Sequence, residues 1–341
     1  MKIHFITCSS KPRKCGITDY VNFLSKELEK KGHMVEVETI DSIKDFAHIS
    51  KNLPNSDLYS LQFAPYAFSQ SGLSGKGLIT FAKSLTNKNT HINFHEIWIG
   101  AYPKATWKEK TIGWLQKREI INFINICKPS AITCSNSAAL DRMGQTGIDA
   151  KFLYLFGNIP YSPKKKHEPL NHLNIVFFGT LYRTFPYDEL AKTLIYISQS
   201  LKKQIHIKII GRQREAEGLR YIKKVSQQFR FAISLSGELS ISKISEELQK
   251  SDLGISTTPY DILGKSGATA TMLEHGLPIL VYDDGDTPKN KLSIMQEYDD
   301  QVFLLNDSSV TQKLFSFLQK PRKTFFDGVA YTAKKMLEII H

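Results

Sequence analysis

Residues 264–278 read GKSGATATMLEHGLP, and they could hold a phosphate in one of two ways. Gly264-Lys265-Ser266 is the tail of a Walker A loop, which needs a glycine five positions ahead of its second glycine so that the backbone can curl around the phosphate. Pro259 stands there, which excludes a nucleotide hydrolase of that type. The second way is a strand-to-helix turn. Leu253 to Thr257 is predicted as a strand, TPYDILGK as a loop, Ser266 as an N-cap and Gly267 to His275 as a helix stopped by Gly276, with Pro278 beyond. Lys265 would supply charge, Ser266 a hydroxyl, and the N–H groups of Gly267 and Ala268 the positive end of the helix dipole. A solvated lysine before an ordinary cap is the structural alternative.

Other residues of the same chemical kind follow strand-like runs. Gly16 in KPRKCGITDY lets backbone approach a ligand, with Thr18 or Asp19 capping the helix behind it, or it makes a tight structural turn. His95-Glu96 ends the run NFHE; a catalytic imidazole and a satisfied structural one both fit there. Gly179 and Arg183 in FGTLYR, and Arg212 after Gly211, place flexible backbone and a cation where a diphosphate would sit. Asp261 is the nearest carboxylate to the Lys265 loop.

Two series of alternating strand and helix must position these groups. Lys2–Thr7, the helical DYVNFLSKELEKKG and MVEVETI form one βαβ unit, and strands are predicted at 58–63, 92–95, 131–135 and 152–156, with a helix over 106–127. The stretch 157–172, with three prolines, a Lys triplet and no period, reads as a linker. Beyond it the alternation restarts, with strands at 174–178, 206–210, 232–236, 253–257, 278–282 and 302–305 and helices at 188–201, 215–229, 242–251 and 268–275; a last helix spans 329–340. The expectation is an α/β protein of two doubly wound Rossmann-like domains facing a cleft. Their bounds are residues 1–160 on the acceptor side and 161–325 on the nucleotide side, with a helix over 326–341 that could pack on either. In such sheets ligands sit outside the carboxyl ends of the strands.

The 341 residues suffice for two cores at ~150 residues each. The formal charge of +12 favours anionic neighbours, but it is shared as +7 over residues 1–157 and +5 over the remainder. No basic arm or recognised motif therefore points to nucleic acid. Without a long apolar run the chain is expected to be cytoplasmic, with an anionic membrane surface as a peripheral neighbour. Cys8, Cys15, Cys127 and Cys134 lack metal-site spacing and are expected to be reduced structural thiols; no metal is expected.

Taken together, PRKCGITDYVNFLSKELEKKGHMVEV, FHEIWIG, ITCSNSAALDRM, IVFFGTLYR and SGELSISKISEELQKSDLGISTTPY resemble the retaining GT-B glycosyltransferases of family 4, over nearly the whole chain. The resemblance implies transfer of a hexose-type sugar from a nucleotide diphosphate sugar to a glycan or lipid-linked acceptor, with a UDP-sugar favoured over a GDP-sugar and no metal or cofactor. It makes His95 the active-site histidine, places Gly16 near the donor diphosphate, and likens Arg183 to a phosphate-binding arginine. Lys265, Ser266, Gly267 and Ala268 would complete the diphosphate site, with Gly179, Gly211, Arg212, Asp261 and Glu274 around nucleoside or sugar. The family's two glutamates, with seven residues between them, are absent: aligning on Gly276 and Pro278 puts Leu263 and Thr271 there. Glu274, a helical turn on, is left to reach a ribose hydroxyl or to cap and solvate the helix end.

After His95 the sequence gathers Trp98, Tyr102, Trp107 and Trp114 among Lys104, Lys108, Lys110, Lys117 and Arg118. Aromatic faces stack on sugars, and Trp with Lys suits a membrane interface. Trp98 and Tyr102 are the acceptor candidates, whereas Trp114 is expected to pack on the sheet. Two alternatives remain open: a catalytically inactive glycosyltransferase-like binding protein, and a non-hydrolysing sugar-nucleotide epimerase.

Overall fold

Short, almost wholly apolar strands alternating with amphipathic helices produce parallel sheets covered on both faces. The structure, a computed structural model, describes every residue except 9–15, 43–44, 103–104, 164–170, 214–215, 284 and 286–297, and the side chain of Ala216. Cys15, most of the loop before Gly16 and the Lys triplet of the expected linker lie outside the described residues. The chain divides into two units, Met1–Tyr154 with Val329–His341, and Leu155–Gly328.

The first unit runs β1 (Lys2–Cys8), α1 (Gly16–Lys30), β2 (Met34–Ile40), α2 (Asp45–Lys51), β3 (Leu58–Phe63), α3 (Pro65–Phe68), α4 (Gly75–Ser84), β4 (Thr90–Phe94), α5 (Trp107–Cys127), β5 (Ala131–Cys134), α6 (Ser137–Gly144) and β6 (Lys151–Phe152). Its sheet has the order β2-β1-β3-β4-β5-β6, parallel throughout, with Ile3 opposite both Val35 and Leu58. Phe46, Phe63, Phe81, Phe94 and Phe123 pack ring against ring in its core. The second unit runs β7 (His172–Phe178), α7 (Tyr187–Leu201), β8 (Gln204–Ile210), α8 (Ala216–Phe229), β9 (Ala232–Gly237), α9 (Ile241–Lys250), β10 (Leu253–Ile255), a 3-10 turn (Tyr260–Lys265), α10 (Gly267–Glu274), β11 (Ile279–Val281), β12 (Val302–Leu304) and α11 (Val310–Leu318). Its parallel sheet has the order β12-β11-β10-β7-β8-β9.

The last helix, α12 (Gly328–Ile340), belongs from Val329 onward to the first unit, where Thr332 Oγ1 donates to the Tyr154 carbonyl at 3.1 Å. Residues 157–163 are not a free linker. The Gly157 N–H donates to Glu274, and the Ser162 N–H to Ser245 Oγ at 3.0 Å.

Several strands are shorter than the sequence predicts, β6 and β10 among them. β6 stops at Phe152 because among the described residues it is an edge strand whose one partner, β5, ends at Cys134; the Leu153 N–H makes a last bond to the Cys134 carbonyl at 2.9 Å, and Tyr154 and Phe156 are buried beyond it. β10 stops at Ile255; the Ser256 N–H still donates to the Leu280 carbonyl at 3.0 Å, and Thr257 lies beyond the strand. α1 starts at Gly16, so Thr18 and Asp19 lie inside its first turn and neither is its cap; Thr18 Oγ1 donates instead to the Cys8 carbonyl at 2.9 Å.

Candidate functional site

In a doubly wound sheet the ligand crevice opens where successive strands leave in opposite directions. In the second unit that point lies between β7 and β10, because β8 and β9 extend the sheet on one side and β11 and β12 on the other. The two carboxyl ends are joined there by one hydroxyl: Thr257 Oγ1 donates to the Thr180 carbonyl at 2.7 Å and accepts from the Tyr182 N–H at 3.1 Å.

Gly179 ends β7 with φ +103°, a conformation that side chains resist, and a Cβ added there would stand 3.0 Å from the Ala268 Cβ. The missing side chain therefore lets the β7 edge approach the first turn of α10. Gly211, also at φ +103°, and Gly267 face open space. Gln213 Nε2 donates to the Gly179 and Gly211 carbonyls, each at 3.3 Å, and fastens the two loops.

The N-terminus of α10 carries the most informative hydrogen bonds. Ser266 Oγ caps the helix by accepting the Thr269 N–H at 3.2 Å, and it also accepts the Thr269 hydroxyl at 2.8 Å. Thr269 Oγ1 in turn pairs with the buried Ser256 hydroxyl at 2.8 Å. A hydroxyl has two lone pairs and one hydrogen. Both lone pairs of Ser266 are engaged, so its hydrogen is left to donate outward, beside the N–H groups of Gly267 and Ala268 at the positive end of the dipole. Lys265, exposed, ends the 3-10 turn immediately before. Ser266, Gly267, Ala268 and Gly179 are thus brought together. Ser256, Thr257 and Thr269, which fix them, were not singled out from sequence, although Ser-Thr-Thr directly after a strand is a usable signal.

Other expected donor contacts are placed differently. Arg183 and Arg212 are exposed and each faces a carboxylate, Glu217 at 3.4 Å and Glu238 at 3.0 Å. Asp261 is buried in the 3-10 turn. Glu274 fits neither role expected for it, because it is 3% exposed and its carboxylate accepts the Gly157 N–H at 2.9 Å. It also lies at the far end of α10, about 10 Å from the helix N-terminus at 1.5 Å per residue. Leu263 is fully buried. Thr271, at the other lost glutamate, donates to the Gly267 carbonyl and is walled in by Gly157, whose added Cβ would stand 2.3 Å from Thr271 Oγ1. A longer side chain at 271 has no room.

In the first unit, His95 follows β4 and is 8% exposed, edge-on to the Tyr20 ring of α1 with centroids 5.0 Å apart. It sits in a buried polar row. His91 bridges Ser60 and Thr133, Thr133 donates to Asn93, and Asn93 and Gln62 meet beside His95. Gln62 Nε2 donates to Ser60, which turns Gln62 Oε1 toward His95 Nε2 at 2.9 Å. That oxygen can only accept, and its 2.9 Å contact is shorter than the 3.3 Å approach of the donating Asn93 Nδ2 to the same nitrogen, which favours the Nε2–H tautomer. Burial, with His91 nearby, pushes the His95 pKa down to about 3, so at neutral pH the ring can orient a hydroxyl but is no general acid. Gly16 opens α1 with free space around it.

The aromatic residues exchange their expected places. Trp98 is buried in the core under the Lys117 ammonium, 5.4 Å from its ring, and offers no open face for stacking on a sugar. Trp114, expected on the sheet, is 59% exposed. Tyr102 is exposed with its hydroxyl on Glu109. Cys8, Cys127 and Cys134 are buried free thiols, and burial raises Cys127 to about 11 and Cys134 to about 12. A cavity of about 600 Å³, lined by His172, Asn174, Lys203, Asp252 and Arg322, opens at the amino ends of β7 and β10. It lies at the opposite edge from the switch point, and its arginine is spent on helix carbonyls.

No protein-family profile matches the sequence, and no curated protein matches it. Solved structures match over the whole length. Anabaena HepE in complex with UDP and glucose is 16% identical, covering 99% of this chain and 98% of its own at TM-score 0.54. The lipopolysaccharide outer core galactosyltransferase WaaB is 12% identical, covering 98% and 95% at TM-score 0.55. The UDP-GlcNAc 2-epimerase of Methanocaldococcus jannaschii is 10% identical, covering 100% and 99% at TM-score 0.50. At such identities the likeness establishes the fold, the two Rossmann-like sheets of the GT-B class.

Proposed function

We propose that the chain is a GT-B glycosyltransferase that binds a nucleotide diphosphate sugar, a UDP-sugar in preference to a GDP-sugar, at the β7–β10 switch point. The observation that carries this reading is the turn at Ser266, whose hydroxyl has both lone pairs occupied and its hydrogen left for an anion, beside the free N–H groups of Gly267 and Ala268. Lys265 adds charge at the same turn, and Gly179 leaves the space. The fold is shared with proteins solved with UDP or UDP-glucose, which fits this ligand.

The sugar goes to a glycan or lipid-linked acceptor with retention and without metal. The bond from the anomeric carbon to the diphosphate oxygen breaks as the bond to the acceptor oxygen forms on the same face, and the acceptor proton passes to the leaving phosphate oxygen. Cations and helix N–H groups stabilise that leaving group. No side-chain base is then required, which suits a site with Leu263 and Thr271 at the family's glutamate positions.

A thermal-shift panel of UDP- and GDP-sugars, followed by product analysis, tests this reading. A bound donor should raise the melting temperature by mass action, and slow donor hydrolysis should accompany it. In calorimetry Lys265→Ala should weaken UDP severalfold, and Gly179→Val, whose side chain would press on Ala268, should weaken it by ~tenfold or more. Epimerised donor would favour the epimerase reading. The closed wall at Thr271 suits an inactive binding protein, and UDP bound without any turnover would favour that alternative. Absence of nucleotide binding would sink the proposal.

A further inference from the structure

α5 has two faces. Gly113, Gln116, Ile120, Phe123, Ile124 and Cys127 point inward. Directly opposite, Trp107, Thr111, Trp114 and Arg118 recur at i, i+4, i+7 and i+11 and form an outward stripe. Trp107 is 81% exposed and Trp114 59%, the reverse of the usual fate of indole rings. The two lie two turns, about 10 Å, apart along the axis, so both can meet one flat surface.

The surroundings of this stripe are cationic. Lys108 and Lys110 flank Trp107 on either side, and the Arg118 guanidinium lies 5.9 Å from the Trp114 ring. The two carboxylates of this stretch are used elsewhere. Glu109 accepts from the Thr106 N–H and the Tyr102 hydroxyl, closing the helix's own capping box. Glu119 accepts the Ser74 and Gly75 N–H groups at the start of α4. The stripe therefore presents indoles amid a net excess of positive charge, Lys108, Lys110, Lys117 and Arg118 against Glu109 and Glu119.

We infer that this face of α5 docks on an anionic lipid surface. Trp rings settle at the headgroup level, where one end of the ring is apolar and the N–H stays wet, and lysines and arginine meet lipid phosphates. A soluble glycan would account for the indoles but not for the flanking cations, and a protein partner's interface core would be depleted of such charge. The helix lies on the surface; no helix of the described residues is long and apolar enough to cross a bilayer. This docking stands whether or not the chain transfers sugar, and with that reading it favours a lipid-linked acceptor.

The test is co-sedimentation of the full chain with phosphatidylcholine vesicles, with and without phosphatidylglycerol, alongside quenching of tryptophan fluorescence by brominated lipid. Binding should require the anionic lipid and weaken with salt. Trp107→Ala with Trp114→Ala should reduce partition by ~tenfold or more, with unchanged melting temperature and unchanged UDP affinity, because both side chains are exposed and lie outside the donor turn. Lys108→Glu with Lys110→Glu, also surface changes, should act in the same direction. No vesicle binding, or equal binding by the double tryptophan variant, would overturn the assignment, as would Trp-dependent capture of a soluble glycan with no lipid binding. Calorimetry with UDP reports separately on the transferase reading.

Discussion

Replacing Arg322 by alanine should cost about 1.5–3 kcal/mol of stability, read as a lower urea midpoint. Its guanidinium is fully used. Nε donates to the His275 carbonyl at 3.0 Å, Nη1 to Gln249 and Ser251 at 2.8 and 3.0 Å, and Nη2 to Leu248 and His275 at 2.9 and 2.6 Å. These are carbonyls at the C-terminal ends of α9 and α10, where intrahelical donors run out, although Leu248 also accepts the Ser251 N–H at 3.2 Å, and where the negative end of each dipole lies. One planar fork thus ties the last turns of two helices, and α10 is the helix whose first turn forms the candidate site. The carbonyls packed round the guanidinium desolvate it, although the residue keeps an exposed side, and lower its pKa to about 10, which leaves it charged at neutral pH. Alanine would orphan several carbonyls at once, and Arg322→Lys should recover only part of the loss, since an ammonium cannot match the fork. An Arg322→Ala protein with the wild-type midpoint would show that water replaces the fork.

How much of this was legible in the sequence depends on how local each feature is. Gly276 at the end of α10, at φ +74°, and Ser266 at its start are set by a few neighbouring residues, and the sequence marks both. The β7–β10 switch point needs the strand order, which no local pattern carries. The Ser256–Thr269–Ser266 hydroxyl chain needs β10 and α10 side by side. Glu274 looked available because three residues of spacing say nothing of a backbone N–H arriving from Gly157. The indoles were misassigned for a different reason. A large apolar ring defaults inward, yet the inward face of α5 was already spelled out by Gly113, Gln116, Ile120 and Phe123, leaving Trp114 outside. Trp98 is buried because its loop lies against the helix: an added Gly113 Cβ would collide with the Ile99 carbonyl oxygen, and the Ile99 N–H donates to Gln116 at 3.0 Å.

The protein should also lose stability steeply on acidification, through histidines buried as neutral rings. Burial pushes His91 down to about 4 and His95 to about 3, from about 6.5 in the unfolded chain, and His275, packed against Ser245 and the Thr271 carbonyl, to about 4. The folded values are depressed, so between about pH 6.5 and 4 the unfolded chain binds more protons. The stability from keeping these rings neutral is complete above 6.5 and is lost as pH falls toward the folded values. Each ring contributes a slope of about 1.4 kcal/mol per pH unit in that window. His91 and His95 act on the first unit and His275 on the second, so each unit loses a large share of an ordinary domain's stability, about 5–15 kcal/mol, within two or three units of pH. Urea midpoints measured from pH 7.5 downward should therefore fall most sharply below 6.5, earlier than carboxylate titration alone would produce. His91→Gln removes one titrating ring from the Ser60–Thr133 bridge while keeping a side-chain amide for the two hydroxyls. It should start lower at neutral pH, and the first unit's transition should descend with a slope reduced by about half. A midpoint flat from pH 7 to 5, or a variant slope equal to that of the wild type, would show that these rings are protonated in the folded protein and that the row rearranges to accept the charge.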